Sequence, residues 1–510
     1  MQTEQILISL LLLLYIFSFF LFCYSVRSLV FCIVIKRRTN DPGIYSFQVS
    51  QSKNQRKSER GVSSFASDAK KKASVFANSV ISNSQQYYNK LLNRDTDNDT
   101  NQLEFYPFIS ILVATHNELL VIDRLMRSLT SLTYNRDKFE VIIVDDSDDG
   151  TDDFIRRWAQ FMRNLKFIHR DHRSGWKGGA LNVALGNLNN ESEYVLVVDA
   201  DTYFLRDTLE RFVSFFGNSL PCRASVSVVQ GYPVSIVYDR GDKRVNTNFK
   251  ALNANWVARG IAFRLAQRNM VEFLAKEILN LPLQITGSLF MIRSNLIRRL
   301  GFKTDLTEDW DLTLDLYLDS SVDPHSFSYN NRINYTNSCL PKKIVSFNPT
   351  LACYCEATTS FGSYFRQRMR VSEGHTRAFK RNFIPMLKGK VTTGYRIEFF
   401  FNGLQYAKFI ALFALILIDS AILSIGGINF IVSNNFVKIP LFLQAAMLFI
   451  DILTRFVAVP LCCTIMEDYT RLDAVYTTFL NVFTLPAFVL GSLRGFFKNE
   501  GVFYRTQRNA

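Results

Sequence analysis

Residues 6–26 contain no charged side chain. At about 1.5 Å per residue, a helix of that length matches a hydrocarbon core of roughly 30 Å. The apolar character resumes after Arg27 and stops at Lys36-Arg37-Arg38. Towards the other end, residues 409–432 and 439–465 form two further apolar stretches with a short connection, which predicts a membrane hairpin. A signal peptide would carry its basic end first and have a shorter apolar region, so residues 6–26 read as an anchor. The positive-inside bias then places the N-terminus outside and everything after Lys36 in the cytoplasm. The expectation is an integral protein of the cell membrane with a large cytoplasmic middle.

Its 510 residues suffice for two or three domains. The formal charge of +14 could address nucleic acid, but no binding motif accompanies it. An anionic membrane surface accounts for it better, given the apolar stretches. Residues 39–104 are rich in Ser, Asn, Gln, Lys and Asp, and such a composition cannot bury enough apolar area to offset chain entropy. They read as a polar basic linker, with Lys70-Lys71-Lys72 either on lipid headgroups or in solvent. The eight cysteines are scattered, and Cys353-Tyr354-Cys355 lacks a second pair, so neither a zinc site nor a disulfide framework is expected.

From Pro107 onward, strand-like runs alternate with helical patterns: a strand at 108–114, a helix at 121–132, a strand at 141–144. This predicts an α/β domain with a mostly parallel sheet flanked by helices. Tyr194-Val195-Leu196-Val197-Val198 suits a strand buried on both faces, and it ends in Asp199-Ala200-Asp201. Ligands of open α/β sheets bind beyond the carboxyl ends of strands. Two carboxylates so close repel each other unless a cation lies between them. All-oxygen ligation suits Mg²⁺ or Mn²⁺ carrying substrate phosphates. The plainer alternative is an acidic turn. Lys177-Gly178-Gly179 offers a cation and bare backbone N–H groups at a helix start, which favours a diphosphate, or else is an ordinary glycine turn. Thr307 followed by Glu308 and Asp309 is good capping chemistry. His116 and His172 lack metal-ligand spacing and read as polar pocket lining.

Seven motifs stand in one order. They are Ala114-Thr115-His116-Asn117-Glu118, Val144-Asp145-Asp146-Ser147, Gly175-Trp176-Lys177-Gly178-Gly179, Asp199-Ala200-Asp201, Thr286-Gly287-Ser288, Thr307-Glu308-Asp309-Trp310 and Gln367-Arg368-Met369-Arg370. In this order the chain resembles membrane-integrated family-2 glycosyltransferases with the GT-A fold, of the cellulose and hyaluronan synthase type. The resemblance covers about residues 107–380 and, more loosely, the membrane region after them.

The resemblance implies an inverting transfer of a hexose from a nucleotide-diphosphate sugar. Thr115, Glu118, Asp145, Asp146, Lys177, Gly178, Asp199, Gln367 and Arg370 would hold the donor, and Asp199 and Asp201 the Mg²⁺ or Mn²⁺. Gly287, Ser288 and Trp310 would meet the acceptor. Asp309, with Glu308 beside it, would take the proton of the attacking hydroxyl. Val371 departs from the pattern: tryptophan stands there in the polymer-making members and stacks on a sugar, which valine cannot do. The tail Phe503-Tyr504-Arg505-Thr506-Gln507-Arg508 resembles the segment that closes over the nucleotide, with Thr506 and Arg508 as gating residues.

The expected division is an anchor at 1–38, a linker at 39–104, a catalytic domain at 105–358, interfacial helices at 359–408, a hairpin at 409–465, and an interfacial or re-entrant helix with the gating tail at 466–510. The third apolar stretch, 474–492, is followed by Arg494, Lys498, Arg505 and Arg508, which the positive-inside bias would keep in the cytoplasm. A saccharide acceptor, growing into an exported polymer, is favoured by Gln367, Arg370 and the tail; a lipid or polyprenyl-phosphate acceptor is favoured by Val371 and the few spans. An inactive scaffold subunit would have lost acids from the site, and none is missing. The sequence leaves donor sugar, linkage and oligomeric state open.

Overall fold

The computed structural model describes residues 2–39, 106–216, 226–236, 255–319, 344–389, 391–463 and 469–498. Nearly all of the expected linker lies outside these residues, as do Thr506 and Arg508.

Seven strands form one sheet: β1 (Ile109–Thr115), β2 (Phe139–Asp145), β3 (Leu165–His169), β4 (Tyr194–Asp199), β5 (Val228–Ile236), β6 (Phe290–Arg293) and β7 (Val345–Glu356). Their order is β3-β2-β1-β4-β6-β5-β7. β2 and β4 flank β1 in parallel, β3 extends the parallel run beside β2, and β7 runs parallel to β5. Only β6 is antiparallel to both of its neighbours. The mostly parallel α/β sheet expected from the alternating pattern is therefore present.

The central strands are apolar on both faces because helices cover both. On one face Leu112, Ile142, Val195 and Val197 pack with Ala180, Leu181 and Ala184 of a helix at Trp176–Gly186. On the other face Ile111, Val113, Val141, Ile143, Leu196 and Val198 pack with Leu125, Met126 and Leu129 of a helix at Ile122–Thr130. Successive strand residues alternate between these two cores, as period-two geometry requires.

In chain order the helices used below are α1 (Gln2–Thr39), α2 (Trp176–Gly186), α3 (Trp256–Ala266), α4 (Glu308–Leu318), α5 (Phe361–Lys388), α6 (Thr393–Gly403), α7 (Lys408–Ser433), α8 (Asn435–Cys462), α9 (Arg471–Phe483) and α10 (Leu485–Phe497). Segments of α1, α7 and α8 (Ile8–Arg37, Lys408–Ile425 and Asn435–Cys462) are long and apolar enough to cross a membrane. The third apolar stretch is not one helix. α9 and α10 meet at a bend of 48° after Thr484, where Pro486 occupies the first turn of α10 and cannot donate a backbone hydrogen bond. Such a pair is either a broken span or a re-entrant loop.

Buried ion pairs tie these helices to the sheet domain. Arg27 of α1 meets Glu398 of α6 at 2.8 Å and Glu272 at 3.3 Å. Lys276, fully buried, meets the same two carboxylates at 3.0 and 3.2 Å. Arg259 of α3 pairs with Asp473 of α9, both buried. Within α8, Arg455 and Asp451 pair at 2.6 Å across one turn, as their spacing predicts.

α10 lies against α5 through its glycines. A Cβ at Gly491 would collide with Ser372 Oγ and the Met369 carbonyl, and one at Gly495 with the Glu373 carbonyl. Gly491→Ala should therefore force the two helices apart, at a cost of roughly 1–3 kcal/mol, read as a lower Tm of the detergent-purified protein.

Candidate active site

A cavity of about 540 Å³ opens at the carboxyl ends of β1 and β4. Thr115, Glu118, Asp146, Lys177, Asp199, Asp201, Gly287, Ser288, Glu308, Asp309, Gln367 and Arg370 line it, drawn from all seven motifs. Val371 and His116 line it as well, while His172 does not.

Lys177 is its electrostatic centre. Its Nζ lies 2.6 Å from Asp199 Oδ1 and 3.1 Å from Glu308 Oε1, and it donates to the Gly287 carbonyl. Burial alone would lower its affinity for a proton, but the carboxylates of Asp199, Glu308 and Asp309 outweigh burial and hold the ammonium firmly protonated. Gly287 lies beside this convergence: a Cβ there would stand 3.5 Å from both Lys177 Nζ and Asp309 Oδ2, in ordinary contact with each. The turn that presents Gly287 is strained at its exit, because Leu289 adopts a φ of 58°, which is costly for a branched side chain. Ser288 Oγ accepts the Asp199 N–H at 3.0 Å, which fixes this turn to the end of β4.

Asp309 sits in the first turn of α4. Its Oδ1 accepts the Trp310 N–H at 2.8 Å. Burial, reinforced by the neighbouring Glu308 charge, pushes its carboxyl up to about 7, while Lys177 and the Trp310 N–H pull the other way. A carboxyl poised near neutrality is suited to taking a proton. Asp311 faces elsewhere and pairs with Arg381 of α5.

Several expected site residues have other surroundings. Asp145 is fully buried and does not line the cavity. It accepts from Thr115 Oγ1 at 2.6 Å, Ser147 Oγ at 2.5 Å and the Ser147 N–H at 3.1 Å, and it lies 3.0 Å from His169 Nδ1. It holds the strand ends together, whereas its neighbour Asp146 reaches the cavity wall and is clamped by Arg170 at 2.5 and 2.6 Å. Gly178, in the first turn of α2, is buried, and a Cβ there would collide with the Lys303 carbonyl, so the glycine lets α2 lie against that loop. Trp310 does not meet the cavity. It is 4% exposed and stacks on His375 at 4.5 Å between ring centroids. Thr307 occupies the N-cap position of α4, but its Oγ1 makes no capping hydrogen bond.

The cavity also holds residues that no motif marked: Arg264, Arg268, Tyr364 and Tyr406. The available signal was two arginines four apart, a spacing that brings both to one face of a helix.

The sequence profile of glycosyl transferase family 2 matches residues 110–271, and that of glycosyl transferase family group 2 matches residues 194–488. A beta-monoglucosyldiacylglycerol synthase of Synechocystis is 38% identical over 115 residues, 22% of this chain and 24% of that protein. A probable glucomannan 4-beta-mannosyltransferase of Arabidopsis thaliana is 33% identical over 116 residues, 22% of this chain and 21% of that protein. The matched region thus spans less than a quarter of each relative's length. A solved mannosyltransferase of Pyrobaculum calidifontis, in complex with GDP-Man and Mn²⁺, aligns over 84% of this chain and 98% of that one, with 19% identity and a TM-score of 0.48. With the second profile spanning more than half of the sequence, the chain belongs to glycosyl transferase family group 2.

Proposed function

We infer that the protein moves a hexose, with inversion, from a nucleotide-diphosphate sugar to an acceptor at the membrane. The observation that carries this reading is the convergence of Asp309, Glu308, Lys177 and Asp199 around Gly287 in one cavity. A sugar hydroxyl is a poor nucleophile at neutral pH. The Asp309 carboxylate takes its proton as the oxygen attacks the anomeric carbon, and the bond to the diphosphate breaks on the opposite side. Thr115, Glu118 and Asp146 face the nucleoside, with Asp145 positioning the strand ends beneath them. Gln367 and Arg370 enter from α5, where Arg370 stabilises the departing diphosphate. Gly287 and Ser288 lie on the acceptor side of Asp309.

Asp199 and Asp201 fit an Mg²⁺ or Mn²⁺ ion only as a partial site. They line one cavity one residue apart, but among the described residues no group of three or more metal-ligating side chains is gathered. Substrate phosphate oxygens and water would complete the shell, which is how such ions are commonly held. When bound, the ion would neutralise charge on the diphosphate. Asp201→Ala should weaken nucleotide-sugar binding chiefly in the presence of Mg²⁺ or Mn²⁺. Equal affinities in metal and in EDTA for the unmodified protein would refute the assignment.

The acceptor has two readings. Gln367 and Arg370 in the cavity favour a saccharide, and with it polymer synthesis of the cellulose or hyaluronan synthase kind. Val371 in the cavity wall, where a stacking ring is missing, favours a lipid or a short product. Partition of the product into organic solvent separates them. We place the catalytic domain and the C-terminus in the cytoplasm, with the α9–α10 pair re-entrant. Labelling of a unique cysteine at residue 509 by an impermeant reagent outside intact cells would contradict that topology. The direct test of function is a screen of nucleotide sugars for release of free nucleoside diphosphate by the purified protein; no release with any donor would overturn the reading.

A further inference from the structure

Gln230 stands in β5, lies in none of the seven motifs and is fully buried. Val228 and Tyr232, two residues to either side, belong to the apolar core. An amide placed among such residues costs free energy unless it is hydrogen-bonded. Here Nε2 donates to the carbonyls of Ser288 at 3.0 Å, Leu289 at 3.2 Å and the adjoining Gly231 at 2.9 Å. Oε1 accepts the Thr286 N–H at 2.8 Å. These partners fix the orientation of the amide, because a carbonyl can only accept and a backbone N–H can only donate. Apart from the bond to Gly231, the bonds of this side chain among the described residues run to one turn, residues 286–289.

That turn needs to be held. Its last residue, Leu289, has a φ of 58°, and strained backbone persists only where the surroundings over-determine it. The Leu289 N–H reaches the Val197 carbonyl of β4 at 2.8 Å, and its carbonyl accepts the Gly231 N–H at 2.8 Å. Those bonds fix the exit of the turn, and Gln230 extends the hold from β5 to Thr286 and Ser288. The pairing of β5 with β7 shifts register between Gln230 and Tyr232, and such irregularities re-aim side chains. The turn itself carries two contacts of the cavity. The Gly287 carbonyl accepts from Lys177, and Ser288 Oγ accepts the Asp199 N–H at 3.0 Å. Gln230 does not line the cavity, so it can act on the chemistry only through the turn.

We propose that Gln230 is a positioning residue of the active site: its amide holds the turn at 286–289 and thereby sets Lys177 and Asp199 in place for transfer. The chain of contacts is short. The amide fixes Thr286 and Ser288, Ser288 fixes the end of β4, and Gly287 between them fixes the ammonium. A displacement of about 1 Å in groups that must meet a reacting centre can cost about 10²-fold in rate, even when its cause is remote. The nucleoside end of the donor, at Thr115, Glu118 and Asp146, is independent of the turn, so turnover should suffer more than donor binding. The inference deepens the transferase reading and rests on it for the effect on turnover, whereas the hold on the turn can be read without any substrate.

The test compares Gln230→Met, Ser288→Ala and the double variant of the full-length protein in detergent. Methionine matches glutamine in size and removes the amide. Amide hydrogen exchange, read by mass spectrometry, should run about tenfold faster in peptides covering residues 284–290 of Gln230→Met and stay unchanged in those of β1 and β2. With the donor found in the nucleotide-sugar screen, kcat of Gln230→Met should fall by about 10- to 100-fold, with donor KM within about threefold. If Gln230 acts through the turn, the two changes share one route, so the double variant should lose no more than about threefold beyond the poorer single variant. Losses that multiply overturn the proposal, because they make the two residues independent. A kcat within about twofold of the unmodified protein overturns it too, as does faster exchange throughout the sheet, which is the mark of a residue that only stabilises the fold. Should Gln230→Met not fold, Gln230→Glu, which keeps the acceptor for the Thr286 N–H and loses the amide donor, is read against the same outcomes. A screen that finds no donor overturns the transferase reading, and exchange at residues 284–290 still decides whether Gln230 holds the turn.

Discussion

Asp309→Asn should reduce kcat by roughly 10²–10⁴-fold while leaving donor affinity nearly unchanged, because loss of a general base removes a transition-state interaction and not a ground-state contact. The amide is nearly isosteric and can still accept the Trp310 N–H, so the start of α4 should keep its form. The unmodified enzyme should show the matching pH dependence. Burial and Glu308 raise the Asp309 carboxyl to about 7, so below that pH the group is protonated and cannot accept the acceptor's proton. The rate should therefore rise with pH through about 7 and level off above it, and this limb should vanish from the residual activity of Asp309→Asn. Turnover close to that of the unmodified protein would end the assignment.

Lys177→Met should lower kcat by roughly 10²–10³-fold, the scale for removing one preorganised electrostatic group from an active site. The physical reason lies in what Lys177 touches. Its removal takes away the ammonium that lies 2.6 Å from Asp199 and 3.1 Å from Glu308, leaving these carboxylates and Asp309 without their closest counter-charge. Its charge also lowers the Asp309 carboxyl, so its removal should drive that group further upward and shift the rate limb to more alkaline pH. Donor affinity should fall as well, since Asp199 is no longer restrained. A pH profile identical to that of the unmodified enzyme, whatever the loss in rate, would mean that Lys177 does not tune Asp309.

The sheet was legible in the sequence because its central strands are buried on both faces and so appear as unbroken apolar runs. The acids at their ends were legible for the same reason, since charged residues next to such runs lie where the strands leave the apolar interior. What sequence could not separate was neighbours. Asp145 and Asp146 are adjacent at a strand end, and adjacent strand residues point to opposite sides. One is sealed among Thr115, Ser147 and His169, and the other reaches the cavity. Asp309 and Trp310 are adjacent on a helix, where successive side chains diverge by about 100°, so the tryptophan turns from the cavity to His375. Gly178 shows a different limit. Its motif spacing is compatible with phosphate binding, but the contact that requires glycine is with Lys303, more than a hundred residues away. Arg264 and Arg268 were missed because they lie in no motif, and only the fold brings them to the cavity.

Direct displacement at the anomeric carbon, with Asp309 as base, inverts the configuration there. NMR of the anomeric proton in the product, formed from whichever donor releases nucleoside diphosphate in the screen, tests this most directly. An α-linked donor should give a β-linked product, whereas an α-linked product would contradict the account.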